Sequence, residues 1–177
     1  MRPREPGDAR FRSRAGRYRL GDFAIAAGLA LATWAIYSQT LDFDFVGADD
    51  HRYITENVTV QGGLSVANTV WAFTTLSESN WHPLTWMSHL LDIEIYGVDN
   101  PGGHHLSGVL LHVLNTLLLF GLLQYLTGSR WRSGLVAALF ALHPLHVESV
   151  AWVSERKDVL STLFWLVSIG LYLNPSA

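Results

Sequence analysis

Two long apolar runs dominate the hydrophobicity pattern of this chain. The first covers residues 22–41 and carries no charge after Asp22, and the second covers residues 106–126 and contains no Asp, Glu, Lys or Arg. An apolar run of about 20 residues is long enough for a helix to cross a hydrocarbon core of about 30 Å. Both runs therefore predict transmembrane helices.

Two shorter apolar runs follow toward the C-terminus. Residues 134–142 are too few to cross alone, so this helix either continues past Pro144 to about residue 153 or breaks at the proline. Residues 159–173 form the last apolar run. We therefore predict an all-α integral membrane fold with about four transmembrane helices, at residues 22–41, 106–126, 133–153 and 158–174.

The segment between the first two predicted spans is a long loop over residues 42–105. It is rich in tryptophan and leucine, and pairs such as Gly62-Gly63 and His82-Pro83 divide it into pieces. Indole rings are favoured where a membrane meets water. The pattern therefore predicts short amphipathic helices that lie at the membrane interface.

The arginines set the orientation of these spans. Most of the basic residues precede the first apolar run: Arg2, Arg4, Arg10, Arg12, Arg14, Arg17 and Arg19. Such clusters stay in the cytoplasm. We therefore expect a disordered, basic, cytoplasmic tail over residues 1–20, a membrane domain over residues 21–177, and the long loop on the outer face.

Composition agrees with a membrane protein, because 49% of the residues are hydrophobic and only 15% are charged. The net charge of -3 adds little, since the basic and acidic residues lie in different segments. The chain has no cysteine, which excludes a disulfide framework and a thiolate metal site.

A pair of carboxylates, Asp49 and Asp50, is the first candidate for chemistry. The pair follows Phe43, Phe45 and Val46 at the outer end of the first predicted span. A partly desolvated carboxylate in such a position can act as a general base. The alternative is a solvated loop dipeptide that caps a helix.

A second candidate is the histidine-rich run after the third apolar segment. Histidine and carboxylate are ligands of catalytic zinc, so His143, His146 and Glu148 admit a metal site and hence a small metal-dependent membrane hydrolase. In a continuous helix, however, Glu148 projects away from the two histidines. A polar hydrogen-bonded network is therefore favoured over a metal.

A third candidate is the charged run Glu155 to Asp158, which precedes the last predicted span on the outer side. Arg156 and Lys157 stand where basic residues are not expected, and an anionic lipid phosphate would explain them. The alternative is that the four charges pair with one another and with solvent.

The second predicted span carries a polar stripe formed by His105, His112 and Asn115. Polar residues within a membrane usually face the protein interior. The stripe therefore predicts hydrogen bonds between helices in preference to contact with a substrate.

Several motifs together resemble a known family. They are Asp49-Asp50, N-W-H-P-L-T at residues 80–85, G-H-H-L at residues 103–106, Leu111-His112 with Asn115, and above all H-P-L-H-V-E-S-V-A-W-V-S-E-R-K-D at residues 143–158. From about residue 41 to residue 172 the chain resembles the N-terminal membrane region of bacterial tetratricopeptide-repeat membrane proteins. These are similar to the transmembrane and tetratricopeptide-repeat O-mannosyltransferases and to the protein O-mannosyltransferases of the GT-C superfamily.

The resemblance implies a membrane glycosyltransferase that moves a sugar from a polyprenyl phosphate to an acceptor hydroxyl, such as one on a protein, at the outer face. Carried onto this chain, Asp49 or Asp50 is the base, and Arg156 with Lys157 stabilises the departing lipid phosphate. The pocket residues it implies are His82, His105, His143, His146, Glu148, Glu155 and Asp158.

The resemblance also implies a bacterial inner membrane location, the lipid bilayer and a polyprenyl-phosphate sugar as partners, no nucleic acid partner and no required cofactor, with a divalent metal disfavoured. Three departures stand out. Gly47-Ala48 replaces an asparagine and an aromatic residue, Gly108 replaces an asparagine, and the family continues with further spans and tetratricopeptide helices.

That last departure leaves a second hypothesis open. A chain that stops after four spans is expected to be a truncated GT-C-like domain, completed by missing C-terminal spans or a tetratricopeptide partner. The alternative to an enzyme is a non-catalytic membrane subunit or anchor with the same fold.

Overall fold

The computed structural model describes residues 20–47 and 49–173. Residues 1–19 of the predicted basic tail, Ala48 before the aspartate pair and the final residue of the fourth predicted span lie outside these ranges. The α-helices of the described part are α1 Leu20–Tyr37, α2 Val58–Gln61, α3 Val66–Thr74, α4 Pro83–Tyr96, α5 Pro101–Thr127, α6 Arg130–Leu142, α7 His146–Ala151 and α8 Arg156–Leu173. No strand occurs in residues 20–47 or 49–173, so the all-α prediction is confirmed there.

Two of these helices are long and apolar enough to cross a membrane. Helix α1 runs on through a 3-10 turn, Ser38–Asp42, to give 23 residues, and α5 has 27 residues. Only 22% and 33% of their most apolar windows are buried inside the protein, so most of these residues keep some exposed surface. Exposed apolar side chains suit lipid, and the two helices indicate a membrane protein.

The C-terminal third is interrupted where the proline stands. Helix α6 ends at Leu142, a turn follows at residues 143–145, and the short helix α7 begins at His146. Of the two alternatives for the third apolar run, the structure has the break at Pro144. Helix α8 has 18 residues but opens with three charged ones, Arg156, Lys157 and Asp158. A total of four spans therefore stays a prediction.

The long loop over residues 42–105, which we call the outer loop after its predicted orientation, is helical, as its amphipathic pattern predicts. It contains a π-helix, His51–Thr55, the helices α2, α3 and α4, and a 3-10 turn, Ser77–Ser79. The Ser65 hydroxyl caps α3 by accepting a bond from the Asn68 N–H, and Pro83 occupies the first turn of α4. These pieces share one core, made of Tyr53, Ile54, Val60, Ala72, Trp86, Leu90, Ile93 and Val153.

Helix α5 is the central element and packs against α1, α4, α6 and α8. Its buried polar residues face these neighbours: His112 Nε2 lies 3.1 Å from the Ala141 carbonyl oxygen, and Asn115 Nδ2 donates to the Val159 carbonyl at 2.8 Å. The inward polar stripe and its bonds between helices were predictable from the sequence. Gly108 allows close packing, since a Cβ there would lie 3.1 Å from the Val150 carbonyl oxygen.

Candidate functional site at the aspartate motif

Asp50 is fully buried and joins two distant segments. Its Oδ2 accepts a hydrogen bond from the Val46 N–H at 2.9 Å, and its Oδ1 accepts one from the Ser154 N–H at 2.8 Å. Val46 lies near the start of the outer loop, whereas Ser154 lies two residues before α8. Asp50 therefore holds the start of the outer loop against the start of α8, with both of its oxygens engaged.

Asp49 has the opposite environment although it is the next residue. Its side chain is half-buried, and its own N–H donates to the Gly47 carbonyl at 3.2 Å. Within residues 20–47 and 49–173 no hydrogen bond or ion pair holds its carboxylate. Asp49 is thus the member of the pair whose oxygens are free to accept a proton.

A half-exposed ion pair lies close by. Lys157 Nζ is 2.8 Å from both carboxylate oxygens of Glu155, and the two side chains are 37% and 20% exposed. Glu155 follows Ser154, the residue that binds Asp50. The charges of Glu155 and Lys157 also act on Tyr53 and His82.

These residues form one region, which we call the outer site after the outer loop. It consists of Asp50, Tyr53, His82, Glu155 and Lys157, with Asp49 next to Asp50 in the chain. Four segments that are far apart in the sequence supply it: the aspartate motif, the π-helix, the start of α4 and the start of α8. From among the residues singled out in the sequence, the fold thus brings together Asp50, Lys157, His82 and Glu155, and Asp49 adjoins Asp50 in the chain.

Stacked rings line the base of the outer site. The Tyr53 ring stacks on His82 at 5.7 Å between centroids and on Trp86 at 4.7 Å. Burial lowers the pKa of His82, the positive charge of Lys157 lowers it further, and Glu155 opposes both. Burial also raises the pKa of Tyr53. Near neutral pH the site therefore presents a neutral imidazole and a protonated phenol beside its charged groups.

Arg156 lies outside the outer site even though Lys157 belongs to it. Its side chain is 2% exposed, Nη1 is 2.8 Å from Asp92 Oδ2, and Nη2 donates to the His104 carbonyl at 2.7 Å. Asp92 Oδ1 in turn accepts a bond from Ser107 Oγ at 2.6 Å. We call Arg156, Asp92, His104 and Ser107 the buried clasp, because it ties α8 to α4 and α5.

A separate polar cavity of about 200 Å³ lies between α5, α6, α7 and α8. It is lined by His112, Asn115, Phe140, His146, Ser149, Asp158, Val159, Ser161 and Thr162. Ser149 Oγ donates to Asp158 Oδ2 at 2.8 Å, which links α7 to α8 across the cavity. His146 and Asp158 thus meet here and not in the outer site.

The remaining predicted pocket residues are scattered. His143 and Glu148 are exposed and do not line the cavity that His146 lines. His105 is buried, with Nε2 at 3.5 Å from the Asp44 carbonyl oxygen. The break at Pro144 does not bring His143, His146 and Glu148 into one cluster. The roles assigned to these residues stay predictions.

Tyr53, Trp86 and Asp92 take part in these arrangements, yet sequence reasoning did not single them out for chemistry. Asp92 has a weak signal, because an acidic residue three positions after His89 shares a helix face with it. Its partner Arg156 lies on another helix, so the pair emerges only in the folded chain.

No known protein-family model matches the chain, and no solved structure matches it. Individual relatives do. Protein O-mannosyl-transferase Tmtc2 of Drosophila melanogaster is 36% identical over 160 residues, which are 86% of this chain and 17% of the relative.

Two further relatives agree. Protein O-mannosyl-transferase Tmtc1 of Drosophila melanogaster is 34% identical over 158 residues, 85% of this chain and 18% of the relative. Protein O-mannosyl-transferase TMTC1 of Mus musculus is 34% identical over 175 residues, 94% of this chain and 18% of the relative. The chain therefore spans less than a fifth of the length of these relatives, and over most of its own length it is homologous to proteins named protein O-mannosyl-transferases.

Proposed function

We propose that this chain is the part of a membrane glycosyltransferase that carries its general base. In this proposal the enzyme moves a sugar, with mannose favoured by the names of the relatives, from a polyprenyl phosphate to a hydroxyl group on a protein. The observation that supports it best is the difference between the two aspartates: Asp50 is fully engaged, and Asp49 stands free beside it.

The proposed reaction is a substitution at the anomeric carbon of the sugar. The acceptor oxygen forms a bond to that carbon, and the bond from the carbon to the phosphate oxygen breaks with its electron pair on the phosphate. The Asp49 carboxylate takes the hydroxyl proton. General base catalysis of this kind contributes about 10²–10⁴-fold to rate.

Lys157 is the proposed cation for the departing phosphate. Negative charge grows on that group in the transition state, so a fixed positive charge stabilises it. Glu155 holds the ammonium group at 2.8 Å, which orients it without burying it. Arg156 has no comparable access, because its guanidinium is engaged inside the buried clasp.

The proposal includes the membrane arrangement. The N-terminus then lies in the cytoplasm of a bacterium and α1 crosses the membrane. The outer site therefore lies at the outer face, where the polyprenyl-phosphate sugar would be used. The helices α1 and α5, the interrupted pair α6 and α7, and α8 then form four spans of a GT-C-like domain.

The test is sugar transfer in proteoliposomes from mannosyl-phospho-polyprenol to a serine- and threonine-containing peptide. We expect Asp49→Asn to lower turnover by about 10²–10⁴-fold, because the amide keeps the size of the side chain but cannot take the proton. Asp42→Asn is the matched control, since Asp42 is an exposed carboxylate at the end of the first helix. Its turnover should equal that of the wild type.

Two results would count against the proposal. Wild-type turnover by Asp49→Asn would remove the base from this position. A folded, membrane-inserted wild type that transfers no sugar would favour a non-catalytic membrane subunit or anchor.

A further inference from the structure

A second group of polar side chains lies under the outer site and takes no part in the proposed reaction. His89 and Asp92 stand three positions apart on α4, and His104 stands in the first turns of α5. All three are at most 3% exposed. One ligand atom from each lies within 4.8 Å of the others.

Several atoms of this group lack hydrogen-bond partners although they are buried. Neither ring nitrogen of His89 has one, and Nδ1 of His104 has none. Buried polar atoms are nearly always paired, because an unpaired one costs about 1–3 kcal/mol. Three such atoms occur in two neighbouring imidazoles, which indicates that a further group belongs between the two rings.

The hydrogen bond of His104 defines what that group must be. Its Nε2 lies 3.0 Å from the Gly97 carbonyl oxygen, and a carbonyl can only accept, so Nε2 carries the hydrogen. In the neutral ring Nδ1 is then a bare electron-pair donor, and it lies 3.7 Å from Asp92 Oδ2, another electron-pair donor. Two electron-pair donors thus lie 3.7 Å apart with no hydrogen between them, and a cation between them would stabilise the pair.

We propose that His89, Asp92 and His104 bind a divalent transition-metal ion, with zinc as the best match. Two imidazoles and one carboxylate are an established zinc ligand set, completed by a water molecule. Zinc binds these ligands at about 2.0–2.2 Å in tetrahedral geometry, so the ligand atoms lie about 3.3–3.6 Å from one another. The ring of His89 must therefore turn inward, and it makes no hydrogen bond that would hold it back.

Arg156 can lie beside this ion, although its positive charge lowers the affinity of the site for the metal. Its Nη1 contacts Asp92 Oδ2 at 2.8 Å, but a carboxylate oxygen has a second lone pair for a metal. Carboxylates that bind metals are commonly held by such outer hydrogen bonds. A proton on His104 would also fill the gap, but it would leave both nitrogen atoms of His89 unpaired.

The ion would have a structural role. All three side chains are buried, so the ion would not meet a substrate. It would join α4 to α5, and through Asp92 it would also hold Arg156 at the start of α8. This inference stands independently of the proposed glycosyl transfer.

The first experiment is metal analysis of the full chain, purified in detergent without a polyhistidine tag. We expect about one zinc ion per chain, and X-ray absorption at the zinc edge should show two imidazole ligands together with oxygen. Replacement of zinc by cobalt(II) should give visible absorption bands of a four-coordinate ion. These measurements need no variant, so misfolding cannot obscure them.

The second experiment assigns the ligands. His89→Gln and His104→Gln should each lower the bound zinc by at least about tenfold. The matched controls are His105→Gln, which changes the buried neighbour of His104, and His51→Gln, which changes an exposed histidine. Both controls should retain the ion.

The outcomes separate the alternatives. Folded wild-type protein that contains no zinc and binds no cobalt(II) would overturn the proposal and would leave water or a proton in the gap. Zinc that persists in both His89→Gln and His104→Gln would place the ion elsewhere and would also overturn it.

Discussion

Two basic residues that are adjacent in the sequence occupy very different parts of this molecule. Arg156 belongs to the buried clasp, where it is paired with Asp92 and both side chains are at most 5% exposed. Lys157 belongs to the outer site, where it is paired with Glu155 and is 37% exposed. One step along the first turn of α8 thus separates a structural ion pair from an accessible one.

The comparison shows how the fold assigns roles to similar residues. A guanidinium can satisfy several buried acceptors at once, and Arg156 bonds to a carboxylate and to a carbonyl on two other helices. An ammonium group on a flexible stem keeps its charge near water, as Lys157 does. Burial therefore gives Arg156 a role in stability, whereas Lys157 stays accessible to solvent.

The largest effect that this comparison predicts is on stability. Arg156→Gln should lower the free energy of unfolding by about 3–5 kcal/mol, because it leaves the Asp92 charge buried without its partner. Lys157→Gln is the matched control and should cost less than about 1 kcal/mol, since exposed pairs contribute little. Denaturant unfolding in detergent micelles, followed by tryptophan fluorescence, measures both changes. Equal losses in the two variants would contradict the distinction.

The positions of the first two long helices could be predicted from the sequence, whereas the clasp could not. Apolar runs at residues 22–41 and 106–126 correspond to α1 and α5 because span length depends on local composition. Helix α5 begins earlier than predicted, at Pro101, because the Asn100 side chain caps it and proline suits its first turn. The partner of Arg156 is set by packing between α4 and α8, on which local composition gives no information.

The second effect separates the two aspartates. Asp50→Asn should lower the free energy of unfolding by about 1–3 kcal/mol, because its amide nitrogen would face one of two backbone N–H groups that now donate to Asp50. Asp49→Asn, whose carboxylate is free, should cost no more than about 0.5 kcal/mol. The same unfolding measurement applies, and a loss in Asp49→Asn as large as that in Asp50→Asn would remove the contrast on which the base assignment depends.

The aspartate motif was predictable as a pair but not as two different residues. Adjacent carboxylates look equivalent in a sequence. The bond from the Ser154 N–H to Asp50 crosses 104 positions of the chain and decides which aspartate is engaged. The same contact brings Glu155 and Lys157 to the motif, whereas the stacking of Tyr53 on His82 adds the start of α4.

The third effect concerns the donor lipid and rests on the proposed function. Lys157→Gln should raise the KM for mannosyl-phospho-polyprenol by about tenfold, which corresponds to about 1.4 kcal/mol for one half-exposed charged hydrogen bond. Lys157→Arg keeps the positive charge and should stay within about threefold of the wild type. Initial-rate kinetics in proteoliposomes measure both values. An unchanged KM in Lys157→Gln would leave Lys157 as the partner of Glu155 alone.

The smallest effect is on the pKa of His82, which depends on the charges of Lys157 and Glu155. Burial and the charge of Lys157 lower the pKa of His82, so Lys157→Gln should raise it toward the ordinary value of 6.5. The unfolded imidazole takes up a proton near that ordinary value, while the folded one resists protonation. Folding stability should therefore fall as the pH drops below about 6.5, and it should fall less in Lys157→Gln. Histidine ring NMR signals give the midpoint directly, with His82→Gln assigning the resonance. A midpoint that does not move when Lys157 is neutralised would show that the ammonium group lies too far from His82 to belong to the same site.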